Sequence, residues 1–480
     1  MNFKKKCIFS DLFLKENKDN IFLNAISSAH VLKKHPVFPS IDDKKNNKLS
    51  KNFTKNLKKI ITYLYDFFYE KIFFFKKKKI KIKKDILIVS NLVNKNHLKR
   101  NEDFYFGDIS KLLNKKKISH SFALRNLTNL NYIELSKSIN NKKNKFILSK
   151  TFHIHVEIYL VALFIKNFFY LNFLNFLKKN NEKNNFVSNF YKFDLMKTSL
   201  ANIRHAYQIL YLVKSLNSKI VLFTYEGHAW ERILIKLIKK NFGNNVKLIG
   251  YQFSALNKYS HSIFKKRGFD YDPDYILTSG VIPKKMFEKS KVLNQNNIIN
   301  IGSFKNKKKN KNLKKNFRNI LVLPEGFLSE TNILIDYVKK ISSKNKNFNF
   351  IFRLHPLISL KDISHDFSNY KNILFSSNKS LATDMLKCEF VFYRGSSAVF
   401  ECIFNKIHPI YIDNNDGINV DPLFFIKKTS KLYSNNSFKS LDSFLKNEKK
   451  KFYKISDVVD KFYSKSNFEN FYHKVLKDNM

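Results

Sequence analysis

Three short polar motifs each lie just past an apolar run. Tyr225-Glu226-Gly227-His228 follows KIVLF, Arg353-Leu354-His355-Pro356 follows NFNFIF, and Arg394-Gly395-Ser396-Ser397 follows EFVFY. A carboxylate next to an imidazole can take the proton of a hydroxyl. A histidine N–H and a Gly-Ser-Ser turn can hold a phosphate. The three runs are rich in Phe, Val and Ile, the composition of buried strands. Open α/β sheets bind ligands at the carboxyl ends of their strands. Three motifs at three such ends point to one composite site.

Each motif has its own chemistry. Glu226 is the carboxylate suited to activate an acceptor hydroxyl, with His228 as the second candidate base. The alternative for Glu226 is an acid at a helix start that complements the dipole. Gly227 lets an acceptor approach the backbone. Trp230 is the single tryptophan; it offers a stacking face for a sugar ring or plain core packing. His261, in the loop after GYQFSALNKYS, is a candidate acceptor contact. Pro356 holds His355 extended. Arg353 shares a strand face with His355 and either faces phosphate or pairs with an acid such as Glu401. Gly395 permits a tight turn, and Ser396 is placed as the N-cap of a helix over Ser396–Phe404. The free amides and hydroxyls of Ser396 and Ser397 would then face an anion. Glu325 and Gly326, in the first turn of the second domain, are candidate donor contacts or a mere connector. Metal-ligand spacing, HExxH, GxxxxGK[ST], GxSxG and CxxC are absent from the sequence, which argues against a zinc protease, a P-loop kinase and an α/β-hydrolase.

The elements that must position these groups are readable in outline. The chain has 480 residues, 44% of them hydrophobic, enough for two or three domains with full cores. Residues 1–84 read as a basic N-terminal extension, with Ile72–Lys84 (IFFFKKKKIKIKK) able to sit on an anionic membrane or to serve as a solvated linker. Residues 85–304 read as a Rossmann-like domain, with strands at Ile86–Ser90, Lys145–Ser149, Lys219–Phe223, Lys247–Tyr251, Tyr275–Ser279 and Ile298–Ser303. Helices are expected at Leu195–Leu216 and Ala229–Lys240. Residues 305–318 form a basic low-complexity linker. Residues 319–439 read as a second Rossmann-like domain, and 440–480 as helices packing back across the molecule. Ile154–Leu177 is apolar but interrupted by Glu157, Lys166 and several Asn, so it reads as a buried or interfacial helix, not a span. The N-terminus lacks the sustained apolar stretch of a signal peptide.

The formal charge is +51. Lys, Asn, Ile and Phe are abundant and Gly, Pro and Trp scarce, the mark of a compositional bias toward A/T-rich codons. The charge still favours anionic partners, including nucleotide donors and acidic lipids. The lysines are spread along the chain, so nucleic acid is not the expected partner. Cys7, Cys388 and Cys402 form no paired framework, which fits a reducing compartment.

With these residues in view, the chain resembles bacterial capsule and lipopolysaccharide glycosyltransferases of the GT-B fold, the group of sialyltransferases and Kdo transferases. The matching motifs are Glu226-Gly227, His355-Pro356 and Ser396-Ser397, spread between Asp85 and Phe425. The resemblance implies two Rossmann-like domains facing a central cleft. It implies transfer from a nucleotide-sugar, a CMP-sugar by preference, to a carbohydrate or glycolipid acceptor. His355 and the serine pair would then hold the nucleotide phosphate, and Glu226 would lie in the base motif. The first acidic position of that motif is Tyr225 here. A CDP-polyol phosphotransferase and a non-catalytic basic protein are the alternatives. Neither metal nor cofactor is expected, the donor being a substrate. The expected location is cytoplasmic, peripheral at the inner face of the membrane.

Overall fold

A computed structural model describes residues 15–25, 83–93, 102–128, 144–176, 193–256, 262–304, 315–356, 358–377, 380–414, 420–426, 430–433, 440–449 and 453–480, with Phe13, Leu98 and Leu135. His261, most of Ile72–Lys84 and most of the basic linker lie outside them.

The chain forms two wholly parallel sheets. The first contains β1 (Ile86–Leu92), β2 (His120–Asn126), β3 (Lys145–Leu148), β4 (Ile220–Thr224), β5 (Lys247–Gln252), β6 (Tyr275–Thr278) and β7 (Ile298–Asn300). Their order is β3-β2-β1-β4-β5-β6-β7. The second contains β8 (Asn316–Leu323), β9 (Asn349–Phe352), β10 (Ile373–Phe375), β11 (Cys388–Tyr393), β12 (His408–Asp413) and β13 (Ser430–Tyr433), in the order β10-β9-β8-β11-β12-β13. Both orders step outward in one direction, return to the middle and step outward in the other. This is the doubly wound arrangement, whose reversal leaves a crevice at the carboxyl ends of the two central strands. The crevices fall at β1/β4 and β8/β11. Parallel strands are covered on both faces, so their sequences are continuously apolar; β1 and β4 are buried at every position.

Helices fill the crossovers. In the first domain α1 (Ile21–Ala25), α2 (Ile109–Lys115), α3 (Ile154–Phe176), α4 (Phe193–Leu216), α5 (Ala229–Phe242) and α6 (Val281–Ser290) flank the sheet. The second domain carries α7 (Leu328–Ser342), α8 (Leu381–Met385), α9 (Val399–Phe404) and α10 (Leu441–Lys449). Then α11 (Tyr453–Phe462) runs between the domains. Its Phe462 ring stacks on Phe400 and Phe425 of the second domain, and its Phe462 carbonyl accepts from Ser279 Oγ of the first at 3.1 Å. Gly280 permits this closeness: a Cβ there would lie 2.2 Å from the Phe462 carbonyl oxygen. The chain then continues onto the first domain, where Phe468, Phe471, Val475 and Leu476 join its core.

Several boundaries differ from the sequence reading. Phe13–Ala25 lies in the stretch read as an extension, yet Phe22, Leu23 and Ala25 are fully buried against the first domain. Strand β8 starts at Asn316, inside the stretch read as linker. Strand β2 (HSFALRN) carries no clear signal in the sequence because its start is polar. His120 and Ser121 are nonetheless buried, with His120 Nε2 and Ser110 Oγ 2.6 Å apart. Strand β13 is a further addition to the expected set.

Candidate functional site

Glu226, Gly227 and His228 form the turn from β4 into α5, at the first crevice. Gly227 has φ +77°, a conformation that costs glycine little. The His228 Nε2 and Glu226 Oε2 atoms are 3.1 Å apart, and both side chains stay partly exposed. Three residues into the helix, Glu231 is fully buried and caps the turn. Its Oε2 accepts the backbone N–H of His228 at 2.8 Å and that of Glu226 at 3.1 Å. This is the acid half of a capping box.

Burial pushes the Glu226 carboxyl up, but the hydrogen bond and charge of His228, a Ser254 hydrogen bond and the Arg125 charge outweigh it. The carboxyl ends below its ordinary value. Burial pushes His228 down, and the charges of Glu226 and Glu231 outweigh that, raising it. Burial, with Glu226 beside it, lifts Glu231 to about 7. An anionic carboxylate paired with a histidine inclined to hold its proton stays ionised and can accept a hydrogen bond from an acceptor hydroxyl, while the pairing lowers its strength as a base.

The surrounding groups are largely invisible to sequence reasoning. Arg125, at the end of β2, sits with its guanidinium carbon 4.4 Å from the centre of the Trp230 ring and donates to Asn91 Oδ1 of β1 at 3.4 Å. Burial lowers its pKa to about 10, against the raising charges of Glu231 and Glu226. Tyr105 is raised, first by burial and then by the Glu226 and Asp103 charges. His205 of α4 is driven neutral by burial and by the charges of Arg125 and Arg204. The only readable signal is the acid three residues after His228.

Of the two readings offered for Trp230 the structure takes core packing, and it also places Tyr225. Trp230 is 2% exposed, edge-on to Phe223 and beneath Arg125; its ring is a platform for Arg125, not a surface for a sugar. Tyr225, directly before Glu226, is fully buried against Gly250, where a Cβ would come within 2.8 Å of the tyrosine ring. Glu226 is therefore the carboxylate that the turn presents.

The second crevice gathers Glu325, Gly326, His355 and Gly395. A Cβ on Gly326 would stand 2.9 Å from His355 Nδ1, and one on Gly395 would stand 2.0 Å from Glu325 Oε2. Gly395 also has φ +72°. The two glycines thus make the room in which the imidazole and the carboxyl lie. Burial keeps His355 below its ordinary pKa, so it is neutral near pH 7 and its N–H can donate to an anion without a full charge. Burial, and then the Glu330 charge, pushes Glu325 up to about 8. Its Oε2 is buried and accepts no hydrogen bond among the described residues.

The flanking arginines are structural. Arg394 is fully buried, 2.5 Å from Glu330 Oε2 through Nε, and donates to the Ile412 carbonyl at 3.2 Å. Arg353 Nη1 donates at 2.8 Å to Asp384 Oδ2, which is 1% exposed, tying the end of β9 to α8. Its acid partner is Asp384, not Glu401. Helix α9 begins at Val399, with Ala398 at the cap position and no side-chain cap bond. Ser396 is therefore not the N-cap. The Ser396 and Ser397 carbonyls instead accept from Val399 and Phe400 N–H, a tighter turn ahead of the helix. Ser396 is nearly buried, whereas Ser397, Glu401 and Pro356 are exposed.

Tyr463, just past α11, is raised first by burial, then by Tyr251 and by the carboxylates of both Glu226 and Glu401. Among the described residues no three His, Cys, Asp or Glu side chains converge as a metal-binding group.

No family model matches this sequence, and no curated protein matches it. Solved structures share its general outline. The wall teichoic acid polymerase TagF, in a variant soaked with CDPG, is 14% identical, with 89% of this chain and 98% of that chain covered and a TM-score of 0.42. The UDP-GlcNAc 2-epimerase of Methanocaldococcus jannaschii, in complex with UDP-GlcNAc and UDP, is 12% identical over 82% and 99%, with a TM-score of 0.46. MurG of Acinetobacter baumannii is 7% identical over 82% and 100%, with a TM-score of 0.42.

Proposed function

We propose that this chain is a glycosyltransferase of surface-carbohydrate synthesis, moving a sugar from a nucleotide-activated donor, by preference a CMP-sugar, to a carbohydrate hydroxyl. The observation that carries the reading is the pairing of two unlike crevices. A partly exposed Glu226–His228 pair ends β4, and a glycine-walled pocket with His355 ends β8 and β11.

In this reading the donor lies on the second domain, its phosphate against His355 and the Gly395–Ser397 turn, with Glu401 at the rim. The acceptor hydroxyl lies against Glu226. As the hydroxyl oxygen bonds to the anomeric carbon, its proton passes to the Glu226 carboxylate and the bond from that carbon to the phosphate oxygen breaks. The leaving phosphate keeps the electron pair and is met by the His355 N–H and turn amides. His228 holds the Glu226 carboxylate in place and carries positive charge beside it. Exclusion of water between the crevices limits hydrolysis of the donor.

The test offers CMP-, UDP- and GDP-sugars and CDP-glycerol to the wild type and Glu226→Gln, and identifies products by mass. Sugar transfer from one nucleotide-sugar, abolished in the variant, supports the reading. Transfer of a glycerol phosphate unit, or undiminished turnover by the variant, overturns it.

A further inference from the structure

Helix α3 is the anomaly of the surface. Ile154, Ile158, Val161, Ile165, Phe169 and Phe173 follow one another three or four residues apart, so they form one stripe. All are exposed, with Ile158 at 64%, Phe169 at 66% and Phe173 at 58%. Tyr159, Phe168 and Tyr170 flank the stripe and are exposed as well. The helix has 23 residues, so the stripe is about 30 Å long. A contiguous apolar patch of this size on a folded surface marks an interaction site.

By length and composition Ile154–Leu171 could cross a membrane, with a mean hydropathy of 1.5 over 18 residues. Its inner face is bound to the first domain through polar groups. Glu157 accepts two bonds from Arg204 of α4, at 2.6 and 2.8 Å. Asn167 Oδ1 accepts from Asn20 at 2.8 Å. Val156, Leu160 and Leu171 fill the core on the same side. A spanning helix would surrender these partners and carry an unpaired carboxylate into lipid. The docked helix keeps Glu157 inward and presents only the apolar stripe.

Charge selects the occupant. Glu157 is the sole acid between Lys150 and Phe176, and it is turned away from the stripe. Lys150, His155 and Lys166 are exposed beside it, Lys178 and Lys179 follow in the sequence, and the whole chain carries +51. Tyr211 of α4, exposed and edge-on to His153 and Phe152, extends the surface at the start of the helix. An apolar stripe edged by aromatics and lysines, on a helix that turns its one acid inward, matches the interfacial zone of an anionic bilayer, with exposed Glu16 and Asp19 confined to the segment that meets the helix at Tyr170 and Asn167.

We propose that α3 lies in the plane of an anionic membrane and inserts the Ile158–Phe173 stripe among the acyl chains, leaving the domain fold intact. This inference does not rest on the transferase reading.

The test is sedimentation of the full chain with vesicles of phosphatidylcholine alone or mixed with phosphatidylglycerol. It is read at low salt and at about 0.5 M salt, where surface charges are largely screened. The expected result is binding to the mixed vesicles that persists in part at high salt. That residual binding should fall about tenfold or more in the Ile158→Glu/Phe169→Glu double variant, because buried glutamates oppose insertion. Complete release of the wild type by salt would show attraction by charge without insertion and would overturn the proposal. So would equal binding by the double variant, or a dimer in sedimentation velocity that the double variant breaks while vesicle binding is unchanged. A second variant, Phe169→Trp, guards against a folding defect. Its new indole should be quenched by brominated lipid while the buried Trp230 is not, and an unquenched indole would also overturn the proposal.

Discussion

The two crevices share a topology and balance charge in opposite ways. At β1/β4 each carboxylate has partners: Glu226 has His228, and Glu231 has two backbone N–H groups. At β8/β11 the Glu325 carboxyl keeps a buried oxygen without a hydrogen bond, and the nearby cation, Arg394, is engaged by Glu330. A buried polar atom left unpaired costs about 1–3 kcal/mol. In the first crevice both carboxylates are thus satisfied, and the buried atoms without a hydrogen bond among the described residues are donors, Arg125 Nε and Trp230 Nε1. The second has hydrogen-bonding capacity left over, and a neutral Glu325 could offer an O–H to an arriving acceptor atom.

The sharpest way to break this contrast is Glu226→Gln. The amide preserves size and can still meet His228, but it cannot take a proton at neutral pH. Turnover should fall by about 10²- to 10⁴-fold, while nucleotide affinity, set on the other domain, stays unchanged. A comparable loss of nucleotide binding would mean that the crevices are not separate sites.

Gly395→Ala attacks the other side. The added Cβ would collide with Glu325 and force alanine into a left-handed backbone at φ +72°. Stability should fall by about 1–3 kcal/mol in a denaturant titration, and nucleotide affinity should fall with it. An unchanged midpoint would show that the pocket wall is not as tight as described.

A third prediction concerns pH. Glu325 is raised from 4.5 unfolded to about 8 folded, so the fold favours its neutral form. Its contribution to stability is fully present below about pH 4.5 and is lost as pH rises through about 8. Glu325→Gln should flatten this part of the stability–pH curve. Identical curves for wild type and variant would show that folding does not shift the Glu325 carboxyl.

Legibility in the sequence followed how much each residue depends on distant partners. ILIVS, KIVLF and EFVFY announce buried parallel strands because both faces of such strands are covered, and the two-domain Rossmann-like architecture follows from them. The placing of Glu226 and His355 just past strand ends was legible because the apolar runs before them mark the strands. Arg125 was hidden because HSFALRN begins with polar residues whose burial depends on Ser110 and on neighbouring strands. Trp230 misled because its face is claimed by Arg125, more than a hundred residues earlier. The start of α9 misled because serine before an apolar run reads as a cap, whereas the chain makes one tighter turn first. Asp384, the partner of Arg353, carries no local signal.

The measurement that bears most directly on the account is calorimetric titration of CMP, CDP, UDP and GDP into the wild type and His355→Ala. The account predicts that one nucleotide binds selectively, with CMP favoured, and that the variant loses about tenfold or more of that affinity, the scale of a hydrogen bond to a charged group. Absence of binding by all four to folded protein, or binding indifferent to His355, would contradict a donor site in the second domain.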